Sequence, residues 1–214
     1  MLFRSTLVRS WEQLDDASRR SAVETIAERS GTLAQLVENL LLGSDARESE
    51  LKTADQPFDL ERLLQDSATA FQPFSERHTL ELHTADRLPF AIGDPTATDV
   101  IVGQLLENAF KYSPEGGRVV LRAAVEDGCV EVCVEDEGVG VQPGDEERIF
   151  GRFVQGEGGD RRRFGGIGLG LYLARRLARA QGGDVTAHTR AVRGTRMRFT
   201  LHCAAAAGAA ELDS

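Results

Sequence analysis

Asn108, Lys111 and Tyr112 stand three or four residues apart, a spacing that puts an amide, an ammonium and a phenol on one face of a helix. Such a set can hold a metal ion, a phosphate and an aromatic base. Asp136 ends an apolar β-type run and is followed by Gly138 and Gly140. A carboxylate in that place can accept the exocyclic amine of adenine and so separate ATP from GTP. The glycines let backbone approach a base with no Cβ in the way. Further on, Gln155 to Gly170 holds seven glycines among sixteen residues, with three arginines at Arg161, Arg162 and Arg163. That composition predicts a mobile lid ordered over a ligand. Gly166, Gly168 and Gly170 lead into a helix whose amino end favours phosphate. Taken singly, these are a solvated helix face, an Asp-Gly turn and a surface loop. Their convergence on one kind of ligand is what counts.

The elements that must position these groups follow from periodicity. Val102, Leu105, Leu106, Ala109 and Phe110 recur at helical spacing and give the central helix one buried stripe. Asp94-Pro95 starts that helix, with proline in its first turn, and Pro114 stops it. Leu60, Leu63, Leu64, Ala68 and Phe71 mark an earlier helix, and Leu169 to Ala180 a third, ended by Gly182-Gly183. Strands are predicted at Phe58, over His78–His83, Pro89–Ile92, Arg118–Val125, Cys129–Val134, Val185–Thr189 and Thr195–Leu201. Glu126-Asp127-Gly128 is a hairpin signal. Strands and helices without regular βαβ order predict an α+β fold, a two-layer sandwich.

Composition narrows the class. The 214 residues are 41% hydrophobic and 28% charged, suited to a globular protein with one buried core. A net charge of −9 argues against a nucleic-acid partner. No run of 18 apolar residues exists, so no membrane contact is expected from this segment. Cys129, Cys133 and Cys203 lack metal-ligand spacing and read as small core residues of a reducing, cytoplasmic setting. The histidines at 78, 83, 188 and 202 are scattered. Ahead of the compact part, Val23, Ser30 and Val37 fall seven apart, as do Ile26, Leu33 and Leu40, giving a two-residue heptad seam on a helix over about 17–46.

Four stretches together carry a resemblance. Glu107-Asn108-Ala109-Phe110-Lys111-Tyr112 resembles the N box of bacterial sensor histidine kinases. Asp136-Glu137-Gly138-Val139-Gly140 resembles their first glycine box, Ile149-Phe150-Gly151-Arg152-Phe153 the F box, and Gly166-Ile167-Gly168-Leu169-Gly170-Leu171 the second glycine box. Four boxes in the family's order form a specific signal where one alone is weak. The resemblance implies a mixed, mainly antiparallel sheet with three helices on one face, and ATP and Mg²⁺ as ligands. By position it implies Asn108 as the Mg²⁺ ligand, Lys111 as a phosphate donor and Tyr112 beside the adenine or ribose. It makes Asp136 the adenine reader, with Gly138, Gly140 and Thr195 shaping that pocket. Backbone at Gly166, Gly168, Leu169, Gly170 and Leu171 would take phosphate. Arg152, or one of Arg161 to Arg163, would reach the γ-phosphate, while Phe150 and Phe153 anchor the lid to the core.

The same resemblance divides the chain into four parts. Residues 1–46 look like a truncated dimerisation hairpin, 47–56 a linker, 57–203 the ATP-binding catalytic domain and 204–214 a disordered tail. The family's acceptor-histidine motif is absent, since no histidine precedes His78. The expectation is a piece of a longer kinase, the alternative a protein that lost its acceptor. The parent would be a homodimer serving a response-regulator receiver domain. ATPases and serine kinases of related fold place a basic glutamate four residues before the motif asparagine. Here that position is Gln104, which cannot take a proton, and Glu107 is expected to face elsewhere. A histidine nucleophile needs no such base. A binding module without catalysis is the other reading.

Overall fold

The computed structural model describes residues 53–74, 77–85, 88–126, 128–154, 168–190 and 192–203. The expected hairpin and heptad seam, the glycine-rich segment from 155 to 167 and the tail after 203 lie outside the described residues. The compact unit runs from Thr53 onward.

Its elements are β1 (Gln56–Phe58), α1 (Leu60–Phe71), β2 (His78–Thr84), β3 (Ala91–Gly93), α2 (Pro95–Lys111), β4 (Gly117–Glu126), β5 (Cys129–Glu135), α3 (Gly170–Ala180), β6 (Val185–Thr189) and β7 (Thr195–Cys203), with a 3-10 turn at Arg148–Phe150. The strands form one seven-stranded sheet in the order β1-β3-β7-β5-β4-β2, with β6 also paired to β7. Among the described strands only β2 and β4 pair in parallel. The expected mixed, mainly antiparallel sandwich is the observed one.

Period two decides the two faces of the sheet. Val119, Leu121, Val130, Val132, Val134, Phe199 and Leu201 are buried beneath the helices. Alternate positions carry ion pairs such as Arg196–Glu135 and Arg198–Glu131. Helix α1 packs on β2, α2 on β5, and α3 on β6 and β7, with α2 touching both other helices. That central place explains why its buried face is broader than the expected stripe. Ile101, Val102, Leu105 and Leu106 are all fully buried. The Asp94 carboxylate caps α2, accepting from Thr96 N at 2.9 Å and Ala97 N at 3.1 Å, with Pro95 in the first turn. Register Glu126↔Cys129 leaves a two-residue hairpin loop in which Gly128 takes φ +77°.

Several boundaries differ from the sequence expectation, and two of them bear on the site's surroundings. Thr53 to Gln56, read as linker, belongs to the compact unit. Thr53 Oγ1 donates to the Ala180 carbonyl, Ala54 N to Asp94, and β1 starts at Gln56. The third strand is Ala91–Gly93 rather than Pro89–Ile92; proline has no N–H for the ladder. Among the described residues, no helix is long and apolar enough to cross a membrane.

Candidate nucleotide site

The site is built where β5 ends. Asp136 is 4% exposed. Its Oδ1 accepts from Gly138 N at 2.8 Å and from Thr195 N at 3.1 Å, while Asp136 N donates to the Thr195 carbonyl at 3.0 Å. Oδ1 is thus held by two backbone donors. Burial pushes the carboxyl up from its usual range, and the two backbone N–H donors pull it back, as do Arg190 and the Thr195 hydroxyl. Asp136 and Thr195, named from sequence as partners in one pocket, are therefore in direct contact.

The glycines serve close approach. A Cβ on Gly138 would sit 2.2 Å from the Tyr112 carbonyl, and Val139 N donates to that same carbonyl at 3.0 Å. The end of α2 is thereby stitched to the Asp136 loop through Tyr112 backbone. Gly194 has φ +94°, and a Cβ there would lie 1.9 Å from the Asp136 carbonyl oxygen. Gly194→Ala should therefore cost about 2–4 kcal/mol, from the left-handed backbone and the clash together. Urea unfolding followed by circular dichroism measures it, and a loss below about 1 kcal/mol would contradict the tight approach.

Asn108, Lys111 and Tyr112 are half-buried at the carboxyl end of α2. Lys111 Nζ lies over the Tyr112 ring, 4.9 Å from its centroid. Among the described residues no hydrogen bond engages the Asn108 side chain, and no group of three His, Cys, Asp or Glu residues could hold a metal. One amide oxygen therefore fits Mg²⁺ only if phosphate and water complete the shell, which is that ion's preference. Glu107 does not face away from Gln104 as expected. Positions three apart share a face, and Gln104 Nε2 lies 3.5 Å from Glu107 Oε2. Gln104 also sits under the start of α3, where a Cβ on Gly170 would meet its Oε1 at 2.1 Å.

Both ends of the glycine-rich segment are tied together. Phe153 N donates to the Gly168 carbonyl at 3.0 Å, and Gly168 has φ +74°. Leu169 and Gly170 begin α3, followed by Leu171; no side chain caps that end and no acidic residue occupies its first turn, which suits an anion. Gly166 lies outside the described residues, as do Arg161, Arg162 and Arg163. Arg152 stacks over the Tyr172 ring at 5.0 Å. Phe150 is buried as expected, but Phe153 is 68% exposed. Its backbone is left-handed (φ 61°) and its N–H makes the bond to Gly168, so backbone rather than ring makes that tie.

Sequence reasoning passed over the cluster beneath the F box. Arg175 covers the Phe150 ring at 4.7 Å and hydrogen-bonds both Glu147 and Asp184, which Arg179 also reaches. The four-residue spacing of Arg175 and Arg179 was the available signal. Burial raises the Asp184 carboxyl, but its bonds to Arg175 and Arg179 outweigh that and hold it below its ordinary range. A depressed carboxylate stabilises the fold above its unfolded value and loses that contribution as pH falls through the folded one. Arg175→Gln should thus lower Tm by a few degrees near pH 7. The gap to wild type should narrow as the pH falls below the ordinary carboxylate range. A gap that stays constant with pH would assign the loss to packing on Phe150 instead.

Comparison with known proteins agrees with this geometry. The chain belongs to the family of histidine kinase-, DNA gyrase B- and HSP90-like ATPases, which matches residues 93–205. Within it, its relatives are sensor histidine kinases, and the described unit is their ATP-binding catalytic domain. Sensor histidine kinase WalK of Bacillus subtilis is 31% identical over 196 residues, 90% of this chain and 32% of WalK. The alginate biosynthesis sensor protein KinB of Pseudomonas aeruginosa is 33% identical over 195 residues, 89% of this chain and 32% of KinB. The chain thus spans about a third of the length of these relatives. Full-length ShkA, solved in complex with AMPPNP, matches with 32% identity and a TM-score of 0.65 over 94% of this chain and 43% of that one. The mycobacterial sensor histidine kinase MprB shares the fold at 23% identity and a TM-score of 0.60, over 71% of this chain and all of that one.

Proposed function

We propose that this chain binds Mg-ATP and passes the γ-phosphate to a histidine, for relay to an aspartate of a response regulator. The observation that carries the reading is the Asp136 carboxylate, with one oxygen fixed by Gly138 and Thr195 N–H groups and the other left for an amine. The Asp136 turn would take the adenine. Lys111 would screen phosphate charge as a point donor, and the uncapped start of α3, with backbone from Gly168 to Leu171, would receive phosphate oxygens. Arg152, which stacks on Tyr172 at that end, or one of Arg161 to Arg163, would reach the γ-phosphate. Asn108 is the residue that would hold Mg²⁺, which would supply neutralisation of phosphate charge when bound with the nucleotide.

The chemistry asks little more of the chain. An imidazole nitrogen attacks the γ-phosphorus in line, the bond to the β,γ-bridging oxygen breaks, and ADP leaves. A neutral imidazole is already a nucleophile near pH 7, so Gln104 is no obstacle. Hydrolysis or serine phosphorylation would need a base at that position. The acceptor is supplied by a helical hairpin that the parent protein also uses to dimerise, and a receiver domain takes the phosphoryl group onward.

The test is transfer of labelled γ-phosphate from Mg-ATP to an added hairpin protein bearing the acceptor histidine. Acid-labile, base-stable label on the hairpin is the expected result. ATP binding with no transfer to any supplied hairpin would favour a nucleotide-binding module instead, and absence of ATP binding would reject the site altogether.

A further inference from the structure

We propose that Arg190, in the loop between β6 and β7, is a positioning residue of this site, clasping the Asp136 turn from behind and favouring the carboxylate form that reads the base. The inference rests on the adenine-reading role given to Asp136 above. Arg190 Nη1 donates to the Asp136 carbonyl at 2.8 Å, and its Nη2 lies 3.8 Å from Glu135 Oε2. Arg190 N also donates to the Gly194 carbonyl at 3.1 Å, closing the loop whose next residue, Thr195, holds Asp136 Oδ1. Arg193 of the same loop donates to the Gly138 carbonyl at 3.3 Å. One loop therefore grips two carbonyls and one carboxylate of the turn that must stay rigid for base recognition.

The charge of Arg190 matters as well as its reach. The carboxyl is buried, which disfavours its charged form. The charged groups around it are Glu135 and Glu137 on its own segment, Arg196 across in β7, Arg190 and Arg193 in the loop, and Lys111 at the end of α2, seated over Tyr112. Glu135 is engaged by Arg196 at 2.8 Å and Glu137 lies 3.9 Å from Arg118. Arg190 sits on the Asp136 turn itself through its bond to the Asp136 carbonyl, and its positive charge favours the carboxylate form. Because Oδ1 already accepts two N–H bonds, a proton taken up by Asp136 goes to Oδ2. That turns the acceptor into a donor facing the adenine amine, and binding fails.

The experiment is isothermal titration of the full chain with ADP between pH 5 and 8, for wild type, Arg190→Gln and Arg190→Lys. ADP titrates identically in all three, so differences belong to the protein. Arg190→Gln should bind within about threefold of wild type at pH 8, yet lose affinity at a higher pH as acid is added. The midpoint should move up, so the loss relative to wild type grows as the pH falls towards 5. Arg190→Lys keeps the charge and should hold the wild-type midpoint; it also keeps the test alive should the glutamine variant not fold. An unmoved midpoint, an equal loss at every pH, or a shifted midpoint in the lysine variant would each overturn the role. Wild type that binds no ADP at any pH would instead remove the adenine reading itself, and this inference with it.

Discussion

Asp136→Asn is expected to weaken ATP and ADP binding by about 100-fold or more while leaving the fold intact, the size of losing a hydrogen bond to a charged group and leaving buried donors opposed. The amide oxygen of asparagine can still accept from Gly138 N and Thr195 N, so the turn is retained. Its NH₂ then occupies the place of Oδ2 and presents a donor to the adenine amine, also a donor. Calorimetry at pH 7.5 reads the affinity, and a thermal melt separates it from unfolding. A loss of less than tenfold with unchanged Tm would mean that the base is read elsewhere. The same variant should reverse part of the preference for ATP over GTP, because an amide can donate to the guanine carbonyl.

Asn108→Ala is expected to lower the rate of phosphate transfer to a supplied hairpin by about 100- to 1,000-fold, the cost of losing one electrostatic contact to the reacting phosphates. The reasoning is one of charge. The described residues offer no carboxylate cage for a cation, so a single amide on the last turn of α2 would carry the protein's share of Mg²⁺ binding. The proposed adenine contacts lie at the end of β5 and are untouched, so ADP affinity without metal should change by less than about threefold. Rate and metal-free affinity must therefore separate in this variant. Equal losses in both would mark Asn108 as structural support for α2, and a normal rate would move the metal site elsewhere.

Local pattern made much of the protein legible. Asp94-Pro95 fixes the start of α2 because a short acceptor side chain and a proline each satisfy the first turn without help from elsewhere. The stripe of Val102, Leu105, Leu106, Ala109 and Phe110 is buried because each residue advances about 100° around a helix, so residues three and four apart share one face, whichever partner covers it. Asp136 and the glycines after it could be named for the same reason, since a strand end, a carboxylate and absent Cβ atoms are properties of adjacent residues. Spacing also put Asn108, Lys111 and Tyr112 on one face, and the four boxes in order were enough to propose a nucleotide.

Contacts between distant segments were not in the pattern. Asp136 meets Thr195 across 59 residues and Arg190 across 54, and both meetings depend on the register that pairs Glu135 with Arg196 between β5 and β7. A one-residue slip would turn every one of those side chains to the other face. Phe153 shows the same limit in reverse: an aromatic in an F box reads as an anchor, yet its backbone is left-handed, its N–H bonds Gly168 and its ring is exposed. Residue types and spacing thus determined which groups could serve a nucleotide. Sheet register and backbone handedness decided which groups hold them in place, because those are set by the whole sheet's pairing and not by neighbours in the chain.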